Sequence, residues 1–155
     1  MALTVLNNIP ISSGSVLQVV QGSTQTQVSM TTSYADMGLS VAITPQTSNS
    51  NMYILVNSQI YISTNGYGTR LLRGSTVIVL AASTDTNGPF EGFGNGTHSR
   101  TGYNFLDTGR SAGTSQITYK LQARMYNSGS NVQYNYNDST ANDAISFMQV
   151  MEIAG

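Results

Sequence analysis

The stretch that most constrains this chain is Ser115 to Asn127, SQITYKLQARMYN. Ile117, Tyr119, Leu121, Ala123 and Met125 alternate there with Thr118, Lys120, Gln122, Arg124 and Tyr126. A period of two sends successive side chains to opposite faces of a pleated strand, so one face is apolar and buried while the other is wet. A strand with one wet face belongs to an antiparallel sheet, because a parallel sheet is covered on both sides.

Other segments repeat the signal. Val16 to Gln21, Gln27 to Met30, Leu39 to Pro45, Met52 to Thr64, Thr69 to Ser83 and Val132 to Asn137 all read as strands rich in β-branched and aromatic residues. Asn65-Gly66 is a turn signal, since both residues tolerate positive φ, and Gly74 marks a bulge in its strand. Tyr134 and Tyr136, spaced by two, fall on one strand face as packing or interface residues. The last strand, Ala144 to Ala154, is apolar on both sides: Ile145, Phe147, Met151 and Ile153 on one, Ala144, Met148 and Val150 on the other. It lies between two sheets or between subunits. No segment sustains a helical period, and about eight strands with polar turns predict an all-β fold, an antiparallel β-sandwich of jelly-roll type.

A chain of 155 residues is one domain, long enough to bury about 70% of its unfolded surface. Only 8% of residues are charged and the net charge is −1, where a typical domain carries about 25% charged residues. Such a surface tolerates close subunit association. Six basic residues, scattered, leave no electrostatic footprint for nucleic acid. No apolar run approaches a membrane span, and MALTVLNNIP lacks the basic and long apolar parts of a signal peptide, so the expectation is synthesis in the cytoplasm followed by assembly. Without cysteine there is neither a disulfide framework nor a thiolate metal site.

Two segments stand apart from the sandwich, which is expected over residues 15–155. Residues 1–14 form an arm whose apolar positions are Leu3, Val5, Leu6, Ile9 and Ile11, interrupted by Asn7, Asn8 and Pro10. It either packs on its own domain or docks on another protein through strand-like contacts. Residues 84–114 read as a long Gly-rich loop insertion, and loops of that length in compact domains are functional or disordered. Phe90, Phe93, Tyr103 and Phe105 either anchor that loop or, with His98, Arg100 and Arg110, form a receptor-contact surface of rigid rings and directed hydrogen bonds.

Catalytic signals are sparse. His98 is the only histidine, no G-x-S-x-G elbow exists, and a glycan depolymerase would have to use a pair such as Glu91 and Asp107 at about 5–9 Å. Asp85-Thr86-Asn87-Gly88 is a fragment of a calcium loop without its closing glutamate. No catalytic residue, metal ligand or cofactor is assigned.

The segments GSVLQVVQ, TQTQVSMTTSYADMGLSVAITP, FLDTGRSAGTSQITYKLQAR and AISFMQVMEIAG, in this order and spacing, resemble a β-rich module of marine phage and cyanophage virion proteins, found at the C-terminal ends of tail-fibre-like chains. The likeness runs from about Gly14 to Gly155 and is least over residues 84–104. It implies a non-enzymatic, homotrimeric component of the virion surface, assembled in the host cytoplasm. With only a short apolar arm before the sandwich, the first expectation is a capsid decoration (cement) protein gripping a major capsid protein. The alternative is a tail-fibre or knob domain, attached to a tail protein and binding a host surface glycan or protein. Phe147, Met148, Val150 and Met151 of the last strand are the expected trimer interface.

Overall fold

The computed structural model describes residues 12–80, 91–129, 131–137 and 144–155, which form eleven strands and no helix. β1 (Val16–Thr24), β2 (Val28–Ser29), β3 (Ala35–Ile43), β4 (Asn51–Ile62), β5 (Gly66–Arg73) and β6 (Thr76–Leu80) come first. β7 (Glu91–Phe93), β8 (Thr97–Asp107), β9 (Ile117–Met125), β10 (Val132–Tyr134) and β11 (Ser146–Ile153) follow.

Eight of these carry the architecture, and their pairing is nested. β1 pairs with β11, β3 with β9, β4 with β8 and β5 with β6, each antiparallel. Two further antiparallel pairings, β11 with β4 and β9 with β5, roll that folded ribbon into two sheets. One sheet runs β1-β11-β4-β8, with β10 and β2 continuing beside the end of β4; the other runs β3-β9-β5-β6, with β7 beside the start of β5. This nested ribbon is the jelly roll, an antiparallel β-sandwich.

The alternation in β9 is realised as its sequence requires. Tyr119, Leu121 and Ala123 are fully buried, while Lys120 and Arg124 lie on the outer face. Opposite them, β4 turns Met52, Ile54, Val56, Ile60 and Ile62 inward, and β3 contributes Met37, Leu39, Val41 and Ile43. Each such side chain contributes about 1.5–3 kcal/mol on leaving water. At the edge where the two sheets close, Gly22 of β1 lies against the Ser40 carbonyl of β3, and a Cβ there would overlap that oxygen.

Several sequence expectations change. Thr69 to Ser83 is not one bulged strand: Gly74, at φ 59°, starts a two-residue turn, and Arg73 faces Thr76 across the hairpin. Residues 84–114 are not one loop. They contain β7 and the eleven-residue β8, which pairs with β4 from Ile62↔Thr97 to Met52↔Asp107. Met148 and Val150 are fully buried in the core, so they offer nothing to a neighbouring subunit; only Phe147 and Met151 of that group point outward. The arm residues Leu3, Val5, Leu6, Ile9 and Ile11, together with Phe90 and the Asp85–Gly88 fragment, lie outside the described residues.

Candidate functional site

The outer faces of the two sheets differ in chemistry. On the β3-β9-β5-β6 sheet, Asp36 accepts from Lys120 Nζ at 3.1 Å and Gln122 Nε2 at 2.5 Å, and Arg70 and Arg124 lie over the Tyr34 ring. The Gln122 hydrogen bond and the Lys120 ammonium outweigh partial burial and hold the Asp36 carboxyl below its ordinary pKa. This is a solvated, charged face.

The β1-β11-β4-β8 sheet carries an apolar row instead. Val19, Met151, Tyr53 and Leu106 are register partners across all four strands, a line about 14 Å long. Val16 and Ile153 form the next pair along. Val16, Val19 and Leu106 are 55%, 52% and 47% exposed. The chain enters the described fold at this end, where the Gly14 N–H donates to the Ala154 carbonyl at 2.8 Å. Isolated surface leucines and valines are ordinary, whereas these four side chains line up across four strands.

At the far end of the same face, eight residues along β4 from Tyr53 and thus roughly 26 Å away, the side chains are aromatic and polar. Tyr61 stacks on Tyr136 with centroids 4.6 Å apart, and His98 lies 4.9 Å from Tyr61 and 5.6 Å from Tyr136. Gln59 and Arg100, register partners, are the next residues on that face.

No family model matches, and no curated protein matches. Among the similar solved chains is one from the structure of infectious bursal disease virus Gt strain. It shares 14% identity at a TM-score of 0.42, and the match covers 98% of this chain but only 42% of that one. The assignment of the fold rests on the strand pairing given above.

The residues expected to form one contact loop are dispersed. His98 and Arg100 are exposed on the outer face of β8, whereas Tyr103 and Phe105 alternate to its inner face and pack against the core. Burial raises the Tyr103 hydroxyl far above the usual tyrosine range. Phe93, 57% exposed, belongs to the other sheet and stacks on Tyr126 at 5.6 Å. Arg110 is a strap. Its guanidinium donates to the carbonyls of Ser50 (2.5 Å), Thr47 (2.9 Å), Ser48 (3.0 Å) and Gly113 (2.9 Å) and to Ser50 Oγ (2.8 Å). Tyr134 and Tyr136 do not share a face: Tyr134 is buried in the core while Tyr136 lies outside on Tyr61. The cause is Asn135, whose φ of 49° breaks the alternation between them.

The buried acids hold the structure together. Arg73 Nη1 donates to both Asp107 carboxylate oxygens, at 2.7 and 2.9 Å, and the Tyr119 hydroxyl donates to Asp107 at 2.8 Å. Burial, reinforced by that neighbouring carboxylate, drives the Tyr119 hydroxyl well above its ordinary pKa. Glu91 pairs with Gly68, five residues along β5 from the Arg73 that holds Asp107. That is roughly 16 Å along a strand, so the two acids do not form a glycosidase pair. Glu152 accepts from Ser50 Oγ at 2.6 Å, Gln18 Nε2 at 2.6 Å and the backbone N–H groups of Gln46 and Thr47 at 2.9 and 3.1 Å. Burial pushes its pKa up, but these donors outweigh burial and leave it below the ordinary value. Among the described residues no three His, Asp or Glu side chains gather into a metal-sized cluster.

Proposed function

We propose that this chain is a structural protein of the virion surface that assembles with copies of itself through the outer face of the β1-β11-β4-β8 sheet. The observation that carries the proposal is the aligned outer row Val19, Met151, Tyr53 and Leu106, flanked by Val16 and Ile153. A second copy is the occupant the chemistry favours. The row carries no charge to oppose a like surface, and the whole chain has a net charge of −1. Met151 of the last strand supplies part of it, and Phe147 lies on the same face four residues along, beside Ser23 and Asn57. The jelly-roll topology, common in capsid and lectin domains, is compatible with this role without dictating it. The sequence resemblance to phage virion modules supports three copies.

Decoration of a capsid is the leading form of this reading, because the described chain begins at the apolar end, beside Ala154. Analytical ultracentrifugation of the purified chain is the first test. A trimer at micromolar concentration that Met151→Asp converts to a folded monomer supports the interface, and a stable wild-type monomer refutes it. Deleting residues 2–12 is then expected to leave a folded oligomer that no longer binds capsids. Retained capsid binding by that deletion would refute the docking role of the arm.

A further inference from the structure

We infer that the other end of the same sheet face is a binding site for a neutral, hydroxyl-rich glycan, built on the Tyr61–His98–Tyr136 cluster. This goes beyond the assembly reading and does not depend on it.

Three rings meet within 5.6 Å on this face. His98 is exposed, and both tyrosines are part-exposed. A pyranose presents one face of C–H bonds and a rim of hydroxyls, so it packs on a ring and hydrogen-bonds to planar amides beside it. The cluster offers that pattern. Gln59 is next to Tyr61 on the outer face of β4, and Gln133 pairs with Tyr61 from β10, so two side-chain amides flank the rings.

An independent feature adjoins it. Ser23, Thr24, Gln25, Thr26 and Asn137 line an open groove, and Asn137 follows directly after Tyr136. Among the described residues every lining side chain is a hydroxyl or an amide and none is charged, a lining that suits a neutral polyhydroxyl chain better than a peptide or an anion. Arg100 is the one cation among the residues of this cluster, too little for a phosphate backbone.

The platform is also held in place before any ligand arrives. Asn135 is fully buried, donates its N–H to the Gln59 carbonyl at 2.9 Å and its amide to the Thr24 and Thr26 carbonyls at 3.0 and 3.3 Å, and accepts from Ser146 Oγ at 2.7 Å. It thus fixes the groove wall and, through its left-handed φ, places Tyr136 on Tyr61. Gln27 spans the same region, donating to Gln133 Oε1 and accepting from the Asn137 N–H. Such second-layer support lowers the ordering cost of binding.

The test uses the full chain, titrated by NMR and on an array with neutral hexopyranose oligosaccharides: maltohexaose, mannohexaose, chitohexaose and galactohexaose. At least one binds, Tyr136→Ala and His98→Ala each weaken it about tenfold or more, and Phe93→Ala on the opposite sheet leaves it unchanged. His98 is exposed, so that variant keeps the fold even if loss of Tyr136 does not. No binding to any of these sugars at about 10 mM overturns the inference. So does binding confined to sulfated or sialylated glycans, or binding that survives both ring substitutions. Met151→Asp, which breaks the proposed subunit contact, leaves sugar binding per chain intact, so failure of one reading is separable from failure of the other.

Discussion

Glu152→Gln tests how much of the stability near the apolar end depends on one carboxylate. In the wild type, one oxygen accepts from Ser50 Oγ and the N–H groups of Gln46 and Thr47, and the other accepts from Gln18 Nε2 and shares the Gln46 N–H. A glutamine keeps one acceptor and turns an NH2 toward Gln18. Gln18 cannot simply reverse its amide, because the same Nε2 also donates to the Thr44 carbonyl at 2.7 Å. The substitution therefore loses one charge-assisted hydrogen bond outright and weakens the others. At about 1.5–3 kcal/mol for a bond to a charged group, the total cost is about 3 kcal/mol. For a domain of this size that lowers Tm by about 6–12 °C. Acid sharpens the test. Because the Glu152 pKa is depressed in the folded state, its contribution is complete above the unfolded value of about 4.3 and is lost as pH falls through the folded value. Thermal melts from pH 7 down to pH 3 are expected to show the wild type losing its advantage over E152Q below about pH 4. A Tm within about 2 °C of wild type at pH 7, with a parallel acid limb, would refute the reasoning.

Three other outcomes are expected. Val150→Asp unfolds the protein by circular dichroism, because it places an unpaired charge between the sheets, whereas Met151→Asp on the opposite side of the same strand keeps native ellipticity. Gly22→Val lowers stability in urea titration by about 1–3 kcal/mol or more, since its side chain meets the Ser40 carbonyl and Val41 across the sheet edge. Lys120→Ala changes stability by no more than about 1 kcal/mol, because its partner Asp36 is half exposed; a larger loss would mean the pair is more protected than its exposure indicates.

The parts of the fold legible in the sequence were those where hydropathy and geometry share a period. β9 alternates apolar and polar, and its faces are buried and wet in that order. β8 was hidden because its inner face carries Ser99 and Thr101 while its outer face carries Leu106, so its strand period is invisible in hydropathy, and Gly102 reads as a breaker. β11 showed two apolar faces, but alternation alone does not say which face meets the core, and so Met148 and Val150 were grouped with Phe147 and Met151. The aromatic cluster needs three strands or turns brought together by β4 pairing with both β8 and β10. Tyr61 gives no local sign of it, and the one local clue for Tyr136 is an asparagine whose left-handed backbone sequence alone does not reveal.

The pairing of β1 with β11 has a consequence for how the chain is made. β1 leaves the ribosome about 120 residues before its hydrogen-bonded neighbour, a wait of about 6–25 s at ordinary elongation rates. Through that time Val20 and the inner side of β4 have no complete sheet to close over them. No early segment can be finished in isolation, since β3 waits for β9 and β4 waits for both β8 and β11. Folding is thus slow, dominated by distant pairings, and waits for β11. The nascent chain carries open strand edges until β11 emerges, which makes the half-made domain the most aggregation-prone form it takes.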